Sequence, residues 1–411
     1  MKRDLRHAYG HRGAAKSLRR IALIGLVLAG AFLVASTAQA YPWMIRHQYS
    51  TCAVCHVDPS GGGLLTEFGR SQSDLQLDTQ YVASDDDAPK EASSTSKFLW
   101  GIDLPDWLFL GGDFRGMMLT VKPQGAPTAV RWIEMQADLR AALEIDVFRA
   151  GGSLGFMHQG GLPASITHRD ADNLVSREHW LGVALDDNAV WLRAGRMILP
   201  FGIRDVWHTL WVRTATRTDI NDTQQYGVAA SYSSGDVRGE VMGIIGNYQL
   251  NPDAFRERGY SGFVEWSPAG GYAIGVSSLL TSTLLDTQTR TTLIRQAHGL
   301  FARLAPVVPL VFLFEANALI NSPAGASTTP GVVGMLQADY EPVQGLHAMA
   351  TGELLQSPQP GAQPSAGGWL TLSWFFLPHA DVRVDGGLQS VATPTDRSRV
   401  LSLIAQLHVY L

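Results

Sequence analysis

The sequence predicts an all-β protein, an antiparallel transmembrane β-barrel of about 16 strands that follows a short N-terminal segment. Apolar and polar residues alternate almost throughout residues 108–411, as in strands with two different faces. The connections alternate between long and short, like the external loops and periplasmic turns of outer-membrane barrels. Hydrophobic residues make up 45% of the chain and charged residues only 17%. Nevertheless, no apolar stretch after residue 40 is long enough for a membrane-spanning helix.

Residues 1–40 are predicted to be a secretory signal peptide that is not part of the fold. A positively charged region at 2–20 precedes an apolar region at 21–36, and Ala38-Gln39-Ala40 has the small residues of a cleavage site. The mature chain would then begin at Tyr41, outside the cytoplasm. Together with the barrel, this signal predicts a location in the bacterial outer membrane, in contact with its lipid. A net charge of −5 indicates no nucleic-acid partner.

The motif that points most directly to chemistry is Cys52-Ala53-Val54-Cys55-His56. In a C-x-x-C-H motif the two thiols bond the vinyl groups of one haem c, and the imidazole that follows binds the iron. Two alternatives are a redox dithiol, which would need a βαβ setting, and half of a zinc site, which would need a second Cys/His pair. Neither is evident in the sequence. We therefore expect one covalent haem c on Cys52 and Cys55, with His56 as the proximal iron ligand.

The residues around this motif predict how the haem is held. Three glycines at 61–63 let the backbone pass close to a flat cofactor, and Arg70 offers a positive charge to a haem propionate. The second axial ligand is expected to be His47, which is nearer the attachment site, or else Met44; a five-coordinate iron is the alternative. About forty residues are too few to bury a haem, so we expect this segment to plug the lumen of the barrel.

The domain organisation follows from these features and from the alternation. The predicted parts are a signal peptide at 1–40, a monohaem c-type cytochrome segment at 41–82, an acidic and serine-rich linker at 83–99, and the barrel at 100–411. Strands are predicted near 108–120, 129–146, 147–158, 175–187, 189–198, 224–234, 236–247, 257–267, 271–282, 290–304, 309–320, 331–341, 345–356, 367–377, 380–391 and 397–411. A single strand would also suit a soluble β-sandwich. The number and length of the strands and the sorting of their connections favour the barrel.

The longest connection, at 199–223, carries three arginines, Arg204, Arg213 and Arg217. The third external loop of sixteen-stranded porins commonly folds into the lumen, and by this fold analogy the arginines would form a positively charged constriction. Such a constriction attracts anions or holds haem propionates. The alternative is an exposed lid with solvated charges.

The N-terminal segment resembles that of the fused monohaem cytochrome–porins of bacteria, whose best-known members are outer-membrane iron(II) oxidases. The resemblance is carried by Arg46, by the C-x-x-C-H motif, and by Leu65-Thr66-Glu67-Phe68-Gly69-Arg70 after it. His47, Tyr49 and the three added glycines depart from the family pattern. The barrel stretch at 193–202, RAGRMILPFG, resembles phosphate-selective porins.

The resemblance implies an electron-transfer protein, a haem-plugged porin that exchanges electrons with an extracellular donor or acceptor, iron included. Its periplasmic partner would be a c-type cytochrome or another electron carrier. If the protein is an enzyme, it would be an iron(II)-oxidising cytochrome, and otherwise an electron carrier without a catalytic triad. The alternative is an anion-selective, phosphate-type porin in which the haem is structural or regulatory.

Overall fold

The computed structural model describes residues 41–59, 61–79, 97–99, 101–158, 162–169, 171–207, 209–392 and 396–411. The predicted signal peptide and most of the predicted linker lie outside these residues. Seventeen strands form one sheet. They are β1 Leu108–Pro123, β2 Ala129–Ile145, β3 Phe148–Met157, β4 Asn173–Val175, β5 His179–Leu185, β6 Val190–Met197, β7 Gln225–Ser234, β8 Val237–Gly246, β9 Arg258–Ala269, β10 Tyr272–Thr283, β11 Leu293–Val307, β12 Leu310–Pro323, β13 Thr329–Val343, β14 Leu346–Gln356, β15 Ser365–Leu377, β16 Ala380–Ala392 and β17 Arg397–Tyr410.

The sheet closes into a barrel because its first and last strands pair antiparallel along β1 and β17. The short strands β4 and β5 both pair with β3, and together they occupy the position of one strand in the barrel wall. The seventeen described strands therefore fill sixteen strand positions, as the sequence predicts. The predicted strand at 175–187 is thus interrupted. Arg177, between β4 and β5, turns a buried side chain toward Asp138 on β2, with Nε 2.7 Å from Oδ2.

The two faces of the strands are the reverse of those in a soluble protein. On β2 the side chains of Gln136, Asp138 and Arg140 are buried in the lumen, whereas Leu139 and Leu143 are 59% and 40% exposed on the outside. An outer surface of leucine, valine and tryptophan is favourable in hydrocarbon, so the barrel is suited to lipid surroundings. Within the described ranges no helix has the length and apolar character needed to cross a bilayer.

The connections are sorted between the two ends of the barrel, as predicted. Tight turns at 146–147, 235–236, 270–271, 308–309, 344–345 and 378–379 lie at one end, and the longer loops lie at the other. Left-handed backbone at Asp146 (φ 54°) and Gly345 (φ 76°) helps to reverse the chain in such turns. Short turns are typical of the periplasmic end of an outer-membrane barrel, so we assign the end with the short turns to the periplasm.

Residues 41–59 and 61–79 occupy the lumen near the short turns, and we call this segment the plug. The plug contains a 3₁₀-helix, Pro42–His47, and an α-helix, α1, Glu67–Gln72, which continues into one π-helical turn. The indole of Trp43 packs against His347 on β14, with ring centroids 4.1 Å apart, and against Phe375 on β15 at 6.0 Å. The apolar core of the protein therefore lies inside the barrel, between the plug and the wall.

Buried ion pairs fasten the plug to opposite sides of the wall. Arg46 lies 2.5 Å from Asp339 and 2.7 Å from Glu341, both on β13. Across the lumen, Asp58 lies 2.9 Å from Arg193 on β6. Because the Arg46 side chain has no solvent exposure, each of these charges depends on its partner.

Candidate functional site

The C-x-x-C-H motif forms a tight turn held by its own backbone. The N–H groups of Cys55 and His56 donate to the carbonyl of Cys52 at 3.2 and 3.0 Å. The N–H of Thr66 donates to the carbonyl of Cys55 at 3.0 Å, and the Thr66 hydroxyl caps α1 by accepting from the N–H of Gly69. Helix α1 is thereby fixed directly against the motif.

The close approach of α1 requires glycine at position 69. A Cβ atom there would lie 2.2 Å from the carbonyl oxygen of Cys55, so an added methyl group would push the helix off the motif. We expect Gly69→Ala to weaken the docking of the plug by about 1–3 kcal/mol, although alanine is the better helix former. The measurement is the rate of proteolysis of residues 41–79 in the purified barrel. Ser71→Ala, on the same helix, is the control, and equal rates for the two variants would contradict the expectation.

A cavity lies beside the motif, bounded by the plug, the 199–223 loop and the wall. Both cysteines and His56 face it from the plug. The remaining lining residues include Tyr41, Met44, Tyr49, Gly202, Ile203, Arg204, Arg238, Phe263 and Arg303.

The protonation of Cys55 and His56 suits covalent haem better than a redox dithiol or a zinc site. Burial lowers the pKa of His56 to about 4, so its imidazole is neutral, and Nδ1 finds no hydrogen-bond partner among the described residues. Burial also raises the pKa of the Cys55 thiol to about 12, whereas a redox dithiol needs a lowered pKa. No group of three or more His, Cys, Asp or Glu side chains in the described ranges is arranged to bind a metal ion. Two thiols and a neutral imidazole on one cavity suit covalent haem attachment.

The structure separates the two candidates for the second axial ligand. Met44 lines the cavity, but His47 is not among the lining residues. His47 is half-buried, and burial lowers the pKa of its imidazole. The geometry therefore favours Met44, and the identity of the ligand stays a prediction.

Arg70, predicted to contact a propionate, is not among the residues that line the cavity. Its guanidinium donates to the carbonyl of Leu110 on β1 and lies over the ring of Phe98, 5.7 Å from the centroid. The positive charges that line the cavity belong to Arg204, Arg238 and Arg303 instead.

Arg204 was predicted from the sequence to be a functional residue, whereas the other two arginines of the cavity were not. Arg238 follows the first residue of β8, and Arg303 lies near the end of β11. The alternation marks both as residues of the polar face, but it does not tell which lumenal arginine faces the cofactor.

The 199–223 loop folds into the lumen, as predicted by analogy with porins. Its helix α2, Trp211–Thr216, reaches the far wall. There the N–H of Trp211 donates to Glu353 on β14 at 2.5 Å, and the N–H of Ile203 donates to Glu315 on β12 at 2.9 Å. The loop thus covers the plug from the side of the long loops.

The predicted positively charged constriction is not formed, because the three arginines have different environments. Arg213 pairs with Glu315, and Arg217 pairs with Asp286 at 2.5 Å. Arg204 alone of the three lines the cavity. Desolvation of a buried guanidinium is costly unless a carboxylate compensates it. Consequently, Arg213 is paired with Glu315 on β12 and Arg217 with Asp286 in the loop between β10 and β11, and neither is free to attract anions.

No protein-family model matches the sequence, and no curated protein matches it. Solved structures do share the fold. A loop-deletion mutant of OmpT, an outer-membrane protein of Vibrio cholerae, has a TM-score of 0.56 at 12% identity, covering 74% of this chain and 99% of that chain. The outer-membrane channel DcaP of Acinetobacter baumannii has a TM-score of 0.55 at 11% identity, covering 74% and 97%.

An anion-selective porin from Comamonas acidovorans is similar to the same extent, with a TM-score of 0.54 at 11% identity, covering 74% of this chain and 99% of that chain. At such identities the likeness shows the fold alone, which is a porin-type barrel. Together with the apolar outer surface of the strands, this fold supports the predicted location in the bacterial outer membrane.

Proposed function

We propose that this protein is an outer-membrane electron-transfer protein, a porin-type barrel that carries one covalent haem c in its lumen. It passes electrons between an extracellular donor or acceptor, iron included, and a periplasmic c-type cytochrome or another electron carrier. The observation that carries this proposal is the cavity shared by Cys52, Cys55 and His56 inside the barrel.

Each lining residue has a role in the proposed site. When bound, haem c supplies an iron centre that accepts and releases one electron. Cys52 and Cys55 would hold the porphyrin through thioether bonds, and His56 would bind the iron. Phe263 and Ile203, both buried, give the cavity apolar walls. Charges beside such walls act more strongly than they would in bulk water.

The position of the cavity suits exchange with a periplasmic partner. Thr51, next to the motif, shares a 2.9 Å hydrogen bond with Ser233 beside the 235–236 turn. Val54, between the two cysteines, is 41% exposed. A carrier approaching the short-turn end could thus come close to the motif, whereas the 199–223 loop covers the opposite side.

The experiment that tests this proposal is a reduced-minus-oxidised absorption spectrum of the purified protein, recorded with and without iron(II) as donor. We expect the spectrum of a haem c that stays attached after denaturation. Reduction by iron(II) alone would identify iron as a donor. A haem c that only dithionite reduces would exclude iron and leave another donor or acceptor, and a protein without haem would overturn the proposal.

The second candidate function is an anion-selective porin in which the haem is structural or regulatory. The likeness to the anion-selective porin of Comamonas acidovorans favours it, but the ion pairs of Arg213 and Arg217 do not. Because the plug and the loop both occupy the lumen, we expect the haem-loaded protein to show no steady conductance in planar bilayers. An anion-selective conductance would support the porin function instead.

A further inference from the structure

The ion pairs around the cavity leave one positive charge without a carboxylate of its own. Arg193 lies 2.9 Å from Asp58 and 2.7 Å from Glu240. Arg238 and Arg303 share Glu265, at 2.7 and 2.5 Å. Arg204 is the fourth arginine of this group. The described ion pairs give the four arginines three carboxylates, those of Asp58, Glu240 and Glu265.

Arg204 is the arginine with the weakest compensation. Its side chain is only 7% exposed, and the carboxylate oxygen with which it is paired, on Glu240, lies 3.8 Å from Nη2. Nη2 is buried and has no hydrogen-bond partner among the described residues. The only recorded hydrogen bond of the guanidinium in those ranges is a long one, 3.5 Å from Nη1 to the carbonyl of Gly61.

Arg204 and Arg238 occupy the same corner of the cavity. Their guanidinium groups lie over the ring of Phe263, 5.5 and 5.1 Å from its centroid. Arg238 also donates to the sulfur of Cys52 at 3.3 Å. A cofactor attached to Cys52 would therefore extend into a space that has two guanidinium groups beside one phenyl ring.

We propose that Arg204 binds a propionate of the haem, and that this contact ties the inward-folded 199–223 loop to the cofactor. The inference rests on the proposed function, because it requires a haem on Cys52 and Cys55. A propionate supplies the negative charge that the wall lacks, and a carboxylate matches the planar guanidinium through paired hydrogen bonds. Arg238 contributes positive charge beside it, whereas Arg70, which the sequence suggested for this role, contacts β1.

The reduction potential of the haem tests the assignment. Reduction adds a negative charge to the site, so a buried guanidinium on the propionate stabilises the reduced form. With solution potential fixed near the wild-type midpoint, we expect Arg204→Gln to lower the ratio of reduced to oxidised haem at least tenfold. That ratio corresponds to a midpoint about 59 mV lower for one electron. Arg204→Lys keeps the charge but loses the paired hydrogen bonds, and we expect it to lower the ratio less.

The control is Arg258→Gln, which removes one positive charge from an exposed pair with Asp253 on the long-loop side. We expect its ratio to equal that of the wild type. An unchanged ratio in Arg204→Gln with normal haem content would overturn the assignment and leave the proposed function intact. If Arg204→Gln does not assemble, an unchanged ratio in Arg204→Lys would overturn it likewise. A wild-type protein without covalent haem would overturn both proposals.

Discussion

Replacing Cys52 and Cys55 with alanine is expected to abolish electron transfer while the barrel still assembles. Both cysteines line the cavity and neither is in a disulfide, and the wall is held by strand pairing in which they take no part. Without the thiols no thioether bond can form, and His56 alone would hold a haem only weakly. The measurements are haem staining after denaturing electrophoresis and the rate of reduction by the donor that reduces the wild type.

Two controls make this result specific. Val54→Ala changes an exposed side chain between the two cysteines, and we expect it to keep haem and electron transfer. Heat-dependent mobility of the unboiled protein on a denaturing gel reports whether the barrel of the double variant is closed. A folded double variant that lacks haem and still transfers electrons would refute the proposed function.

Removing the positive charge of Arg46 is expected to release the plug from the wall. Arg46→Met would leave Asp339 and Glu341 side by side, without the cation that compensates both. Breaking a buried pair in this way costs about 3–5 kcal/mol, which corresponds to a population of undocked plug raised roughly a hundredfold or more. The measurement is cleavage of residues 41–79 by chymotrypsin, whose rate follows the undocked population when docking is fast.

The matched controls separate charge from packing. Asp339→Asn with Glu341→Gln, added to Arg46→Met, removes the uncompensated charges, and we expect it to restore part of the protection. Lys97→Met breaks the exposed pair with Asp103 and should change the rate little. If Arg46→Met were cleaved no faster than Lys97→Met, the ion pairs with β13 would not hold the plug.

The sequence was a good guide to the barrel because a lipid-facing wall imposes a strict pattern. Every second side chain must be apolar for most of a strand, and this alternation predicted all sixteen strand positions of the wall. It did not predict that the strand at 175–187 is interrupted, where Arg177 leaves the hydrogen-bonded ladder to reach Asp138. The partner of such an arginine lies on another strand, so alternation within one strand does not reveal it.

The candidate site was less predictable than the fold. Cys52, Cys55 and His56 are specified by local spacing, which a single sequence contains, and the structure places them on one cavity. The roles expected of Arg70 and of the three loop arginines depended on distances across the lumen. Those distances are set by carboxylates such as Glu315, which lie on distant strands and have no local signal that pairs them with a given arginine.

The closed wall has a consequence for the order in which the protein is made. The plug is joined to β6 through Asp58 and to β13 through Arg46, and the wall around it is completed only when β17 pairs with β1. Docking of the plug before that last pairing would let the strands close around it. If Cys52 and Cys55 carry a haem, as proposed, its attachment while the exported chain is open in the periplasm would then precede insertion of the barrel.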